Sequence, residues 1–339
     1  MTQNLPPEIS KACIELGLAR PGDVRTAQPL GGGVSCDIWR IDLADRSICA
    51  KRALAKLRVD ANWSAPTRRI EKEAAFNQIM AELIPGSVPA CLGLHKELGV
   101  LFSAFLDPEN YQLWKDRLRD GRIVAHVASD VGKLLADMHQ RSANSLALKK
   151  QFQDRELFRT LRLDPYFAHT ATAHPDLSGH LHGLFDLFET HAQCVTHGDF
   201  SPKNIMIGPE GPVILDAECA NYGDPVFDVA FCLNHLLLKA AWRPRHAEGY
   251  AADFEAFLSG YLTRMDSAEL IPRINAYLPA LMLARLDGKS PVEYLISPEA
   301  TSRVRAFARD WIKSNCPDPR SMARVWFSRI PEQDARSAS

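Results

Sequence analysis

The sequence predicts an α+β protein of two lobes, a small antiparallel sheet with one main helix followed by a larger, mainly helical lobe. Three observations carry this expectation. Short apolar runs broken by turn residues crowd residues 26–105. Helical apolar periods dominate from residue 111 onward. One strand-rich island, Cys194 to Leu215, interrupts those helices and carries a tight set of acidic and amide side chains.

The elements follow in order. Residues 6–18 predict an amphipathic helix, ended by Gly17 and Pro21-Gly22. Thr26 to Leu30 predicts a strand that leads into Gly31-Gly32-Gly33. Asp37 to Leu43 and Arg46 to Leu54 predict two more, joined by the polar turn Ala44-Asp45. Residues 67–83 carry a helical period with Ile70, Ala74, Ile79 and Leu83 as inward candidates. Ala90 to Leu94 and Val100 to Phe105 complete the sheet. The expected boundary lies at 106, with 1–106 as the sheet lobe and 107–339 as the helical lobe. Helices are expected at about 111–119, 122–142, 176–193, 225–242, 246–265, 269–287 and 298–314, and a polar tail after Arg329.

Composition excludes several classes. With 46% hydrophobic and 24% charged residues, the chain has enough apolar side chains to bury a core. A formal net charge of −1 provides no field for nucleic acid or a membrane surface. Eight cysteines include no C-x-x-C pair and no zinc-like spacing, so reduced thiols are expected. The opening MTQNLPPEIS has no basic stretch before an apolar run, and Val226 to Leu238 is interrupted by Asp228, Asn234 and His235. A cytoplasmic protein is expected, with no nucleic acid, membrane or obligate protein partner.

The chemistry concentrates in His197-Gly198-Asp199-Phe200-Ser201-Pro202-Lys203-Asn204 and in Val213-Ile214-Leu215-Asp216-Ala217-Glu218. Phosphoryl transfer needs a carboxylate to orient an acceptor hydroxyl and oxygen ligands for Mg²⁺ on the triphosphate. Asp199 suits the first task; Asn204 and Asp216 suit the second. The spacing H-x-D-x-x-x-x-N is that of a kinase catalytic loop. Simple turn formers and a helix cap would explain these residues one by one but not their joint spacing. Glu218 is either a second metal ligand or a surface acid. Asp228, at the start of an apolar helix, suits a structural role in which it accepts backbone N–H bonds from the catalytic loop, with His197 as further support.

Gly31, Gly32, Gly33 and Ser35 form a candidate phosphate loop, although a plain hairpin turn also explains the glycines. Lys51, at the inner end of an apolar strand, is a candidate for the α/β-phosphates. Its carboxylate partner is Glu71 or Glu73. These sit about 200° apart around a helix, and Glu73 shares a face with Ile70 and Phe76. Phe105, in the connecting segment, joins the nucleotide-binding candidates. Trp114, Arg285 and Asp287 are candidates for lining an acceptor pocket, the last two equally readable as a helix-end charge cluster.

With these residues assembled, the chain resembles the aminoglycoside phosphotransferase/choline kinase superfamily. His197-Gly198-Asp199 through Asn204 is similar to its H-G-D-x-x-x-x-N loop, and Asp216-Ala217-Glu218 resembles the D-x-E of choline and methylthioribose kinases. Tyr222 with Phe227-Asp228 resembles the segment after it. Ser35 resembles the family's nucleotide-loop serine, and Lys51 and Glu73 its lysine–glutamate pair. The resemblance spans roughly 25–290 and implies a protein-kinase-like fold. It also implies Asp199 as catalytic carboxylate, magnesium on Asn204 and Asp216, and ATP or GTP as phosphate donor to a small-molecule hydroxyl. A protein kinase and an inactive nucleotide-binding module are the alternatives. Against the first, only 217–225 separates Asp216 from the next helical run, with no A-P-E-like triplet. Against the second, Lys51, Asp199, Asn204 and Asp216 are all present. The helical lobe has no long acidic run, which disfavours polycationic drugs as acceptors.

Overall fold

The computed structural model describes residues 5–31, 36–54, 66–314 and 318–330. It divides into two compact units, one of 1–111 with 208–220 and one of 112–207 with 221–339. The fold is α+β with an antiparallel five-stranded sheet and many helices, as the sequence predicts.

In the first unit, helix α1 (Pro7–Glu15) precedes strands β1 (Thr26–Leu30), β2 (Cys36–Asp42) and β3 (Ser47–Ala53). Helix α2 (Arg69–Leu83) and strands β4 (Cys91–His95) and β5 (Val100–Ala104) follow. The sheet order is β1-β2-β3-β5-β4. Because side chains alternate along a strand, the central β3 feeds two separate clusters. Ile48 and Ala50 join Trp39, Ile41, Val100 and Phe102 beneath Ile9, Ala12 and Cys13 of α1. Ala53 joins Cys36 and Leu101 beneath Ile70 and Ala74 of α2. The buried face of α2 runs through Ile70, Glu73, Ala74, Phe76, Asn77 and Met80; Ile79 and Leu83, expected inward, are only half-buried.

The second unit opens with β6 (Gln112–Leu113), α3 (Trp114–Arg119), α4 (Ala125–Ser142) and α5 (Leu146–Phe152). Then come α6 (Glu156–Phe158), a π-helical stretch Arg159–Ala168, α7 (His169–Ala173) and α8 (Ser178–Thr190). This helical region between 146 and 173 goes beyond the sequence expectation. Strands β7 (Cys194–Thr196), β8 (Ile205–Gly208) and β10 (Asn221–Gly223) bracket the motif loops, and β9 (Gly211–Ile214) belongs to the first unit. β6 pairs with β8 and β7 with β10, each antiparallel. Helices α9 (Val226–Trp242), α10 (Ala247–Leu262), α11 (Ser267–Asp287), α12 (Pro298–Lys313) and α13 (Pro319–Ser328) complete the unit.

Helix α9 is buried from Val226 through Ala241 and is the axis of this core, as expected of a helix apolar on nearly every side. Helices α4 and α10 pack so closely that only glycine fits at their crossing. A Cβ on Gly132 would lie 2.2 Å from the Phe257 carbonyl oxygen, and one on Gly260 would lie 2.4 Å from that of Ser129. No described cysteine forms a disulfide, and Cys49 and Cys91 are half-buried while the other described ones are buried. No helix among the described residues is long and apolar enough to cross a membrane.

Asp253 on α10 has no solvent exposure, and neither of its carboxylate oxygens has a hydrogen-bond partner. Burial pushes its carboxyl up to about 7, with Arg117 opposing. The folded chain therefore binds this proton more tightly than the unfolded one. The associated stability is present below the ordinary value of 3.8 and is lost as pH rises through 7. Asp253→Asn is expected to flatten that decline, gaining on the order of 4 kcal/mol over wild type at pH 8. Thermal melting of both proteins between about pH 4 and pH 8 checks this; parallel curves would refute it.

Candidate active site

The first unit gathers Lys51, Glu73, Asp216 and Glu218. Lys51 pairs with Leu101 and Ile38 across the sheet, on the face that α2 covers. From there its Nζ lies 2.5 Å from Glu73 Oε2 and also meets an Asp216 carboxylate oxygen. Of the two glutamates on α2, Glu73 is thus the one in contact with Lys51; it is buried, whereas Glu71 is half-buried. Asp216 is delivered by β9, whose Ile214 N–H donates to Ser87 O at 2.8 Å just beyond α2. Asp216 takes a left-handed backbone conformation with φ 65°, uncommon for a residue with a side chain. Glu218 accepts from Arg69 Nε at 2.9 Å, and Arg69 is itself fully buried.

The electrostatics follow from burial and charge count. Burial disfavours the Lys51 ammonium, but Asp216 and Glu73 outweigh it and hold its proton well above the usual lysine range. Burial pushes Glu73 up to about 7, against Lys51 and with the repulsion of Asp216. Among the described residues, three carboxylates, Glu73, Asp216 and Glu218, lie in this half with Lys51 and Arg69. These hard oxygen donors fit a divalent cation such as Mg²⁺, which takes one or two protein carboxylates and completes its shell with phosphate and water. Among the described residues no set of three or more His, Cys, Asp or Glu side chains forms a closed metal cage.

The second unit gathers His197, Asp199, Asn204 and Asp228. Asp228, on the first turn of α9 and fully buried, accepts from the backbone N–H of His197 at 2.7 Å and of Gly198 at 2.8 Å. His139 of α4 places Nε2 3.4 Å from Asp228 Oδ2 and Nδ1 2.9 Å from Tyr261 Oη. Gly198 adopts φ 76°, which reverses the loop where a side chain would strain it. The Asp199 N–H donates to His197 Nδ1 at 3.1 Å, so this nitrogen is an acceptor. Asn204 donates from Nδ2 to Asp199 Oδ2 at 2.9 Å and to the Asp199 carbonyl at 3.0 Å, which leaves its Oδ1 the available acceptor.

Two further residues touch Asp199. Arg162 Nη2 lies 3.0 Å and Lys203 Nζ 2.9 Å from Asp199 Oδ2. Arg162 comes from the π-helical stretch. Pro165 has no N–H for the Leu161 carbonyl four residues back, and Arg162 Nη1 serves that carbonyl at 2.8 Å. Its Nε donates to Gly198 O at 2.8 Å. Burial alone would raise the Asp199 carboxyl, but Arg162 and Lys203 reverse that and hold it well below the usual range. The group is a buried carboxylate that stays ionised, suited to orienting a hydroxyl.

The remaining candidates are dispersed. Gly31 is exposed. Gly32, Gly33 and Ser35 lie outside the described residues. Phe105 carries the Arg40 guanidinium 4.6 Å from its ring centroid. Trp114 is only 2% exposed, a core position rather than a lining one. Arg285 donates to Tyr166 Oη at 3.2 Å and to Ser290 Oγ at 3.1 Å. Asp287 instead accepts from Arg305 at 2.8 and 2.7 Å and meets His174 Nε2 at 2.8 Å. The pair thus faces two different networks.

Lys51→Met is expected to destabilise the ligand-free chain by roughly 2–4 kcal/mol, since two buried or half-buried carboxylates lose their shared cation. Adding Glu73→Gln should restore part of that loss. A double-mutant cycle by denaturant unfolding should read a coupling on the order of 1–3 kcal/mol, and additivity would show the contact to be energetically idle.

Comparison with known proteins places this geometry in a family. The model of the phosphotransferase enzyme family matches residues 26–266. A methylthioribose kinase of Pectobacterium atrosepticum is 25% identical over 292 residues, covering 74% of this chain and 72% of the relative. One of Bacillus cereus is 25% identical over 251 residues, and the match spans 65% of this chain but only 62% of the relative's own length. Among solved structures, a choline/ethanolamine kinase family protein of Mesorhizobium loti superposes with a TM-score of 0.55 at 15% identity, over 94% of this chain and 99% of that one. Amicoumacin kinase hAmiN superposes with 0.57 at 12% identity, over 92% and 96%. These likenesses agree with the protein-kinase-like fold expected from the sequence. The chain belongs to the phosphotransferase enzyme family and is an ATP-dependent phosphotransferase whose acceptor is a hydroxyl group.

Proposed function

We propose that the chain is a small-molecule kinase in which Asp199 is the carboxylate facing the acceptor hydroxyl. The observation that supports this best is the ionised, buried Asp199 carboxylate, held on a loop whose backbone is tied to Asp228. In this reading residues 1–106 bind the nucleotide, through Gly31, Gly32, Gly33, Ser35, Lys51, Glu73 and Phe105. Residues 107–339 supply the catalytic loop and the acceptor side. Lys51, oriented by Glu73, holds the α/β-phosphates as a point charge. Asp216 and Asn204 would hold Mg²⁺, with Glu218 as a further oxygen ligand. When bound, the metal supplies neutralisation of charge on the phosphates.

The step itself asks little covalent chemistry of the protein. The acceptor oxygen bonds to Pγ as the bond from Pγ to the ADP oxygen breaks, and the hydroxyl proton leaves toward Asp199 and then solvent. Asp199 orients the attacking oxygen, and Arg162 and Lys203 keep it ionised until then. A protein acceptor is disfavoured by the short interval between Asp216 and α9, which holds only β10 and its flanking turns.

Asp199→Asn is expected to retain nucleotide affinity and lose roughly 10²-fold or more in kcat. Asp216→Ala is expected to lose Mg²⁺-dependent nucleotide binding altogether. ADP release and calorimetric AMP-PNP titration, each with and without Mg²⁺, check both. Wild-type kcat in Asp199→Asn would sink its role, and undiminished metal-dependent binding in Asp216→Ala would sink the other.

A further inference from the structure

A polar side chain on a helix as fully buried as α9 has to be accounted for. Asp228 is accounted for by the loop it holds. His235 and Lys239, two and three turns further along the same face, are not. His235 is 8% exposed and its Nε2 is buried with no hydrogen-bond partner. Lys239 is 5% exposed, and its Nζ lies 5.0 Å from the ring centroid of Tyr294 and 5.4 Å from that of Trp242. The rings offset part of its desolvation, but the ammonium has three donors and, among the described residues, neither a carboxylate nor a carbonyl to receive them. The Tyr294 hydroxyl and Arg285 Nε are buried and unpartnered as well.

These groups line one region that reaches Asp199. Arg162, on Asp199, lies 6.0 Å from the Tyr166 ring centroid, and the Arg285 guanidinium lies 5.6 Å from the same ring. Tyr166 stacks on Phe231 at 5.8 Å, and Phe231 meets His235 edge-on at 5.4 Å. The charges are lopsided. Burial and then Arg285 and Lys239 push His235 well below its usual value, so it stays neutral. Burial and then Lys115 push Lys239 down to about 8. The nearby carboxylates are Asp199, already shared by Arg162 and Lys203, and Asp116, already paired with Arg119. A buried ammonium whose nearby carboxylates are already engaged by other cations is costly, and a bound anion removes that cost.

We propose that Lys239 and Arg285, with His235 and Tyr294 beside them, form the acceptor subsite and take an anionic oxygen group of the substrate, a carboxylate or phosphomonoester on the hydroxyl compound. This rests on the reading of Asp199 as the carboxylate facing the acceptor. A quaternary ammonium or polyamine acceptor would meet like charge here, and an uncharged sugar would leave the cations unanswered.

Turnover of ATP and Mg²⁺ with D-glycerate, ribose 5-phosphate, ribose and choline tests this, together with calorimetric binding of AMP-PNP. Turnover is expected with glycerate or ribose 5-phosphate, and which of the two is used separates carboxylate from phosphate. Lys239→Met is expected to raise the KM for that anion at least about tenfold with the AMP-PNP affinity unchanged. It is also expected to melt no lower than wild type, because it removes a desolvated charge; a purely structural lysine would lower the melting point and leave KM alone. Arg285→Met should raise the same KM. Use of ribose or choline with neither anion overturns the inference and leaves the phosphotransferase reading standing. An unchanged KM in Lys239→Met overturns it as well. No turnover of any of the four, with no binding of AMP-PNP, overturns both.

Discussion

The Asp228 carboxylate is the constraint on which the second unit depends. It sits without solvent on the first turn of α9, where the helix dipole favours a negative charge, and accepts two backbone N–H bonds from the His197-Gly198 turn. That turn uses a positive φ at Gly198, and a backbone so bent holds only when its surroundings over-determine it. His139 and Tyr261 extend the network into α4 and α10, the two helices that glycines bring into contact at Gly132 and Gly260. The position of Asp199 is therefore tied to the close packing of α4 against α10. The loop that carries Asp199 is held through its His197 and Gly198 backbone by side chains of three helices.

Arg162 adds a second restraint of a different kind. A proline in a helix removes a donor and usually weakens the segment. Here the widened π-helical turn around Pro165 turns Arg162 inward, where three donors are used at once: on the Leu161 carbonyl, the Gly198 carbonyl and the Asp199 carboxylate. The guanidinium fork suits this arrangement and a lysine would not, since one point charge cannot serve two carbonyls and a carboxylate in fixed directions.

Much of the candidate site was legible because its spacing is local. His197, Gly198, Asp199 and Asn204 lie within one loop, and their mutual hydrogen bonds require that order along the chain. Glu73 was legible from helix phase, since α2 buries the face of Ile70 and Ala74. Arg162 was not: Pro165 inside its stretch argues against a helix there, and its contact at Gly198 lies 36 residues away in sequence. His235 and Lys239 were hidden by the all-round burial of α9, which removes the polar stripe that normally betrays a functional face. Arg285 and Asp287 looked like one cluster in sequence. Two residues apart on a helix they diverge by about 200°, and each joins its own network.

The two halves carry opposite imbalances. Among the described residues, three carboxylates lie with two cations around Lys51, and around Asp199 one carboxylate meets Arg162 and Lys203, with Lys239 and Arg285 beyond. Burial makes charge expensive where water is excluded, at Glu73, Asp199 and Lys239. On the proposed reading the two sets serve ligands of opposite sign. The acidic half suits a divalent cation riding on phosphates, and the basic half suits an anion riding on the acceptor. On that reading specificity has a physical basis: the carboxylate proposed to orient the hydroxyl is common to the reaction, whereas the charge surrounding it selects which hydroxyl compound comes within reach.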